Sequence, residues 1–166
     1  MVNSLAAEGA LGRAARDVTR GDPVAMGALY DLLSTDAYRL ALIACDRPEL
    51  AARVVEEAFV HLEHLLRAED DRRGAADLMA LTHRTVLTRL LGGPPRKHES
   101  QAADPFRGGS VDLGVWSGRP GLSALQSCCV ALGCLRLYTT GQIAEMLGTD
   151  DGAVKDAMTE GLRALA

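Results

Sequence analysis

The sequence predicts an all-α protein: two small helical domains joined by a glycine- and proline-rich linker, the second ending in a helix-turn-helix. Three observations carry this expectation. Apolar residues fill 48% of the 166 positions but aromatics only 4%, and the apolar share is mostly Ala, Leu and Val. Arg and Glu, also strong helix formers, stand between them, with few of the β-branched and aromatic runs that strands use. Apolar residues recur three and four apart, the spacing that returns to one face of a helix. Residues 92 to 121 contain seven glycines and four prolines, too many for a helix or a central strand.

Each element follows from local signals. Leu11, Ala14, Ala15 and Val18 make a short apolar stripe that stops at Gly21-Asp22-Pro23. Asp22 is a candidate cap for the next helix, with Pro23 at its first position. That second helix carries Met26, Leu29, Tyr30, Leu33, Ala37, Leu40 and Ala41 on one face until Asp46-Arg47-Pro48 interrupts it. A third is expected to turn Leu50, Val54, Ala58, Leu62, Leu65 and Leu66 inward and to end in the charged run Glu69 to Arg73. A fourth, from about Ala75 to Leu91, presents Leu78, Leu81, Val86, Leu87, Leu90 and Leu91 before Gly92-Gly93-Pro94-Pro95 stops it.

The expected domains are therefore residues 8–92 and 121–166, with 93–120 as the linker. Trp116, the one tryptophan, lies in that linker beside Val111, Leu113 and Val115. A ring of that size is expected to dock on the protein's own helices rather than stay in water. Helices resume at Leu122, with Leu122, Leu125, Cys129, Leu132 and Leu135 expected inward. Thr139-Thr140-Gly141-Gln142 is a Thr-x-x-Gln capping box opening a short helix. The turn Gly148-Thr149 follows, and then a last helix with Val154, Met158, Leu162 and Leu165 on one stripe.

Composition narrows the function. No apolar run approaches the ~20 residues of a membrane span. The four cysteines (Cys45, Cys128, Cys129, Cys134) form no C-x-x-C pair, two of them being adjacent. They suit neither a metal knuckle nor a disulfide framework and fit a reducing cytoplasm. His61 and His64 share a helix face with Glu57 one turn earlier, but with no converging cysteine that face is expected to be solvated rather than metal-binding. No nucleophile-base pattern, phosphate-binding glycine loop or paired-carboxylate motif stands in the chain, so neither an enzyme nor a cofactor is expected.

Charge is unevenly spread. The formal net charge is -4, yet residues 72–98 carry six bases (Arg72, Arg73, Arg84, Arg89, Arg96, Lys97) against Asp77 alone. Such a basic island reads as a phosphate footprint or as a solvated helix face followed by a basic loop.

The segment from Gln142 to Lys155 has the physical content of a helix-turn-helix. Ala144 is small enough for two helices to approach, Gly148 can take the positive φ of the turn, and Thr149 or Asp151 can cap the second helix. Val154 is placed to plug back onto Ile143 and Leu147. This segment resembles the region of sigma factors that binds the −35 promoter element, whose pattern reads roughly E-I-A-x-x-L-G-x-S-x-G-T-V-K.

Earlier stretches are similar to the other sigma domain in the same order: Arg20-Gly21-Asp22, Ala28-Leu29-Tyr30 and Tyr38-Arg39-Leu40-Ala41. Val54-Val55-Glu56-Glu57-Ala58-Phe59 is similar to the family's D-V-V-Q-E-x-F stretch that grips the polymerase clamp. The resemblance covers about 130 of 166 residues and is to extracytoplasmic-function sigma factors.

The resemblance implies a transcription initiation protein that binds core RNA polymerase through Val55, Glu56, Glu57 and Phe59. Promoter DNA would meet Arg84, Arg89, Arg96 and Lys97 in the first domain. In the second it would meet the recognition helix presented by Thr149, Gly152, Ala153, Lys155 and Asp156.

The departures are specific. Arg53 stands where the family usually has Asp, and Glu56 where it has Gln. The −10-reading helix lacks its tryptophan, its asparagine and its trailing arginines. After Lys155 the family places Ser-Arg and further bases, whereas this chain has Asp156 and Glu160. From Asp150 onward four acids oppose Lys155 and Arg163, and carboxylates facing phosphates repel them.

Two other readings therefore stand beside the first. One is a degenerate sigma-like module that binds polymerase, an anti-sigma factor or another regulator without reading promoters. The other is a helix-turn-helix regulator whose N-terminal helices sense a ligand or dimerise.

Overall fold

The computed structural model describes residues 2–68, 75–92 and 119–166. These form seven helices and no strand. They are α1 (Val2–Thr19), α2 (Ala25–Cys45), α3 (Pro48–Ala68), α4 (Ala75–Gly92), α5 (Ala124–Leu135), α6 (Thr140–Leu147) and α7 (Asp151–Ala164). The charged run Glu69 to Arg73, the linker through Trp116 with Arg96 and Lys97, and the residues around them lie outside the described residues.

The connections are built where the sequence breaks. Gly21 takes φ +82 after α1, and the Asp22 N–H reaches back to the Asp17 carbonyl (3.0 Å) to close the helix end. The Asp22 carboxylate then accepts from the Val24 N–H at 2.9 Å. It does cap this corner, but the chain makes one tight turn through Pro23 and Val24 before α2 begins. Asp46 ends α2 in the left-handed region (φ 55), its N–H bonded to the Leu42 carbonyl, and Pro48 opens α3, where a missing N–H costs nothing.

The central helix is α2, which packs against α1, α3, α4 and α5. Leu29, Leu40, Ala37, Ala41 and Ala44 on it have no solvent exposure, and the three alanines are small enough to let neighbouring backbones approach. Leu62 and Leu66 of α3 and Leu78, Val86 and Leu87 of α4 complete the N-terminal core. Truncating any of these leucines to alanine is expected to cost about 2–5 kcal/mol. Two threonines of α4, Thr82 and Thr85, are also buried. The hydroxyls of Thr82 and Thr85 donate to the Leu78 and Leu81 carbonyls at 2.8 and 2.7 Å, so neither is left unsatisfied.

The C-terminal helices join the same core, through Cys128, Cys129, Ala131 and Leu132 of α5, Ile143 and Leu147 of α6, and Val154 of α7. Here the inward faces differ from the expected stripes. Leu125, Leu162 and Leu165 are 38%, 51% and 40% exposed, while Val154, Ala157 and Gly161 line the buried side of α7. The cause is close helix approach: a Cβ on Gly161 would stand 2.8 Å from Val130 Cγ2 of α5. With the glycine side turned to α5, the helix rotates Leu162 outward.

Candidate functional site

Two structural features carry the candidate functional residues: the outer face of α3, and the α6–turn–α7 unit with neighbouring α4.

On α3, Pro48 starts the helix and Val54, Val55, Ala58, Phe59 and Leu62 are buried on one side. Val55 and Phe59 therefore lie beneath the surface. The Phe59 ring meets Tyr30 edge-on with centroids 4.8 Å apart, an arrangement worth about 0.5–1.5 kcal/mol beyond burial. Glu56 is exposed and Glu57 half-buried, with Arg53 4.0 Å from Glu57 and Arg67 2.7 Å from Glu63 along the same helix. Between these charges stands Val60, 58% exposed. The sequence reading omitted Val60, although its place one turn after Glu56, off the inward stripe, is visible in the spacing. The outer face of α3 is thus an apolar side chain framed by acids and paired ions, a surface suited to a protein contact rather than to phosphates.

The second unit is built by caps. The Thr139 hydroxyl accepts from the Gln142 N–H (3.3 Å) and the Gln142 side chain accepts from the Thr139 N–H (2.9 Å), the reciprocal capping box that opens α6. Gly148 closes α6 at φ +63, and the Thr149 N–H reaches the Ala144 carbonyl at 2.9 Å. That bond commits Thr149 to the end of α6. The cap of α7 is instead Asp150, in extended conformation, accepting from the Ala153 N–H at 2.9 Å. Neither Thr149 nor Asp151 fills the role, because Asp151 is already helical.

The expected recognition residues are distributed unevenly. Gly152, Lys155 and Asp156 are exposed, while Thr149 and Ala153 are half-buried. Lys155 is bonded to the Asp151 carboxylate one turn earlier. That bond, with a further one from Thr140, holds the Asp151 carboxyl below the usual carboxylate range. Asp156 and Glu160 face outward, Glu160 accepting from Gln126 of α5 at 3.0 Å. The outer face of α7 is therefore acidic and apolar, its lysine already engaged.

On α4, Arg84 is exposed and Arg89 half-buried. The Arg89 guanidinium acts with burial and with His64 to push the pKa of His61 on α3 down, burial being the larger cause. Arg89 therefore lies close to the α3–α4 seam and is less accessible than Arg84. One residue before Arg84, His83 is 1% exposed, and its Nδ1 lies 2.6 Å from the Tyr138 hydroxyl of the α5–α6 connection. Burial drives the imidazole pKa down to about 4, with Asp36 pulling weakly the other way. Burial also raises the Tyr138 hydroxyl well above its ordinary value, Asp36 adding to it. Both groups are neutral at pH 7, which fits the phenol donating to the imidazole.

Among the described residues no three His, Cys, Asp or Glu side chains gather in a way that would hold a metal ion. None of the described helices is long and apolar enough to cross a membrane. No protein-family model matches the chain, and no curated protein matches it.

Proposed function

We propose that the chain is a sigma-factor-like transcription protein that binds core RNA polymerase through α3 and meets promoter DNA mainly through α4. The observation that carries the reading is the outer face of α3, where Glu56, Glu57 and Val60 are presented together on the stretch that resembles the family's clamp-gripping motif. Val55 and Phe59 support that face from beneath. Arg84 supplies accessible positive charge on α4, and Arg96 and Lys97 extend the basic island along the sequence.

Capture on immobilised core polymerase tests the reading. Glu56→Lys with Glu57→Lys is expected to weaken capture several-fold while leaving helical content unchanged, because both are charged positions beside an apolar contact. Equal capture of the doubly reversed protein and wild type would remove α3 from the interface. Run-off transcription with core polymerase and genomic DNA then asks whether capture leads to initiation.

A second reading is favoured by the outer face of α7. With Lys155 tied to Asp151 and with Asp156, Glu160, Leu162 and Leu165 outward, that face fits a protein partner better than a duplex. In this reading the chain binds polymerase, an anti-sigma factor or another regulator without recognising a promoter. Capture without transcription is its expected result.

A further inference from the structure

Along the seam between α1 and α2, above the corner that joins them, runs an open cleft of about 470 Å³. Its floor is alanine. Ala14 and Ala25 are buried beneath it, and Ala10 and Ala28 line it with part of their surface free. Small side chains keep that floor low enough for another helix to come close. Val24 and Leu32, 74% and 42% exposed, stand at its side. Single exposed apolar residues are ordinary surface, but these two flank one cleft. They are eight positions apart on the same helix, about 12 Å along its axis.

The charge at this cleft is one-sided. Asp17, Asp22 and Asp31 line it against Arg13 alone. Arg13 lies back along α1, its guanidinium 3.5 Å from where a Cβ on Gly9 would stand. Asp17 meets Arg20 at 3.6 Å with both side chains largely in water, a weak pairing. Asp31 is exposed.

That surplus of carboxylate selects the occupant. Phosphates are repelled by it. A second copy packed about a two-fold axis would set the same carboxylates against each other. A small apolar ligand would leave them unused, in a cleft too open to enclose it. We propose that the α1–α2 cleft docks a basic amphipathic helix of a partner protein. Its apolar side chains lie over the alanine floor between Val24 and Leu32, with anchors about two turns apart. Its Lys or Arg side chains point to Asp17, Asp22 and Asp31, which steer the approach and fix the direction of the bound helix. Tyr30 on another side of α2 faces Phe59 of α3, so the proposal does not rest on the polymerase reading.

The test uses the full chain and a labelled peptide of leucine and lysine, patterned as an amphipathic helix of about 18 residues. A second peptide carries glutamate in place of lysine. Fluorescence anisotropy is expected to show binding of the lysine peptide and none of the glutamate peptide. Ala28→Trp, which fills the cleft from an exposed helical position, is expected to weaken binding about ten-fold. Asp31→Lys is expected to weaken it several-fold. Glu145→Lys makes the same charge change on α6 and is expected to leave it unchanged. Circular dichroism establishes that all three variants keep their helical content.

No binding of the lysine peptide to the wild-type chain would overturn the proposal. So would full affinity in Ala28→Trp, or equal losses in Asp31→Lys and Glu145→Lys. Sedimentation that shows a dimer which Ala28→Trp dissociates would give the cleft to a second copy instead. Polymerase capture is scored separately, so its loss would count against the α3 reading and not against the cleft.

Discussion

Gly133 and Gly161 both lie where α5 meets α7, yet a methyl group at the two positions meets different obstacles. At Gly161 it would stand 2.8 Å from Val130 Cγ2 and 3.4 Å from Gln126 Cβ. Valine is stiff at χ1 and cannot swing clear, so the helices must separate. At Gly133 the methyl would meet the end of Met158, a flexible thioether that can choose another rotamer. Gly161→Ala is therefore expected to destabilise by about 1–2 kcal/mol, the overpacking cost exceeding the helix-propensity gain of just under ~1 kcal/mol. Gly133→Ala is expected to be neutral or slightly stabilising. Urea unfolding of the two variants checks this, and an equal loss in both would show that the Met158 side chain is as fixed as Val130.

At the scale of the element, α7 shows what helical spacing conveys and what it leaves open. Its existence, start and length are legible from Gly148, from the acids after Thr149 and from the apolar returns at three and four. Its rotation is not. Val154, Met158, Leu162 and Leu165 make as good a stripe as Val154, Ala157 and Gly161, and only the partner decides between them. Close approach through Gly161 selects the second.

The cap shows the same limit. Thr149, Asp150 and Asp151 are all good capping residues, and the choice falls to Asp150 because Thr149 is used to close α6. Leucine exposure and lysine pairing together decide what α7 presents. Asp156→Arg with Glu160→Arg is expected to add duplex binding through α7 to any that α4 gives the wild-type chain. Its salt dependence should be steeper by about two phosphate contacts, at the expense only of the exposed Gln126–Glu160 bond. Anisotropy at low and moderate salt decides. Tight, sequence-selective wild-type binding that Lys155→Ala removes would overturn the acidic-face argument, and an arginine variant that binds no more tightly than wild type would show the helix is occluded.

The whole molecule hangs on residues that the sequence does not advertise. The apolar periodicity and the breaks at Gly21, Pro48 and Gly148 made the helices legible, and the resemblance to sigma factors pointed to α3, α4 and α7 as candidate surfaces. The packing of α5 on α2 was not legible, since alanines and cysteines on a helix name no partner. Nothing in the sequence singles out His83, since a lone histidine between Thr82 and Arg84 reads as surface.

Its burial gives the molecule a pH signature. The folded imidazole titrates near 4 because burial disfavours its charge, whereas an unfolded histidine titrates near 6.5. Between these values the unfolded chain binds a proton that the folded chain refuses. Stability that is fully present above about 6.5 is thus lost as pH falls toward 4, at up to about 1.4 kcal/mol per pH unit.

The contribution of the histidine is isolated by difference between wild type and a variant at this position. His83→Gln, which keeps a side chain able to meet the Tyr138 hydroxyl, should be less stable than wild type at pH 7. Its stability should also fall less steeply between pH 6.5 and 5. Thermal unfolding of both proteins across that range gives the two slopes. Parallel slopes would mean that His83 takes up its proton without resistance, and hence that Tyr138 does not keep it from water.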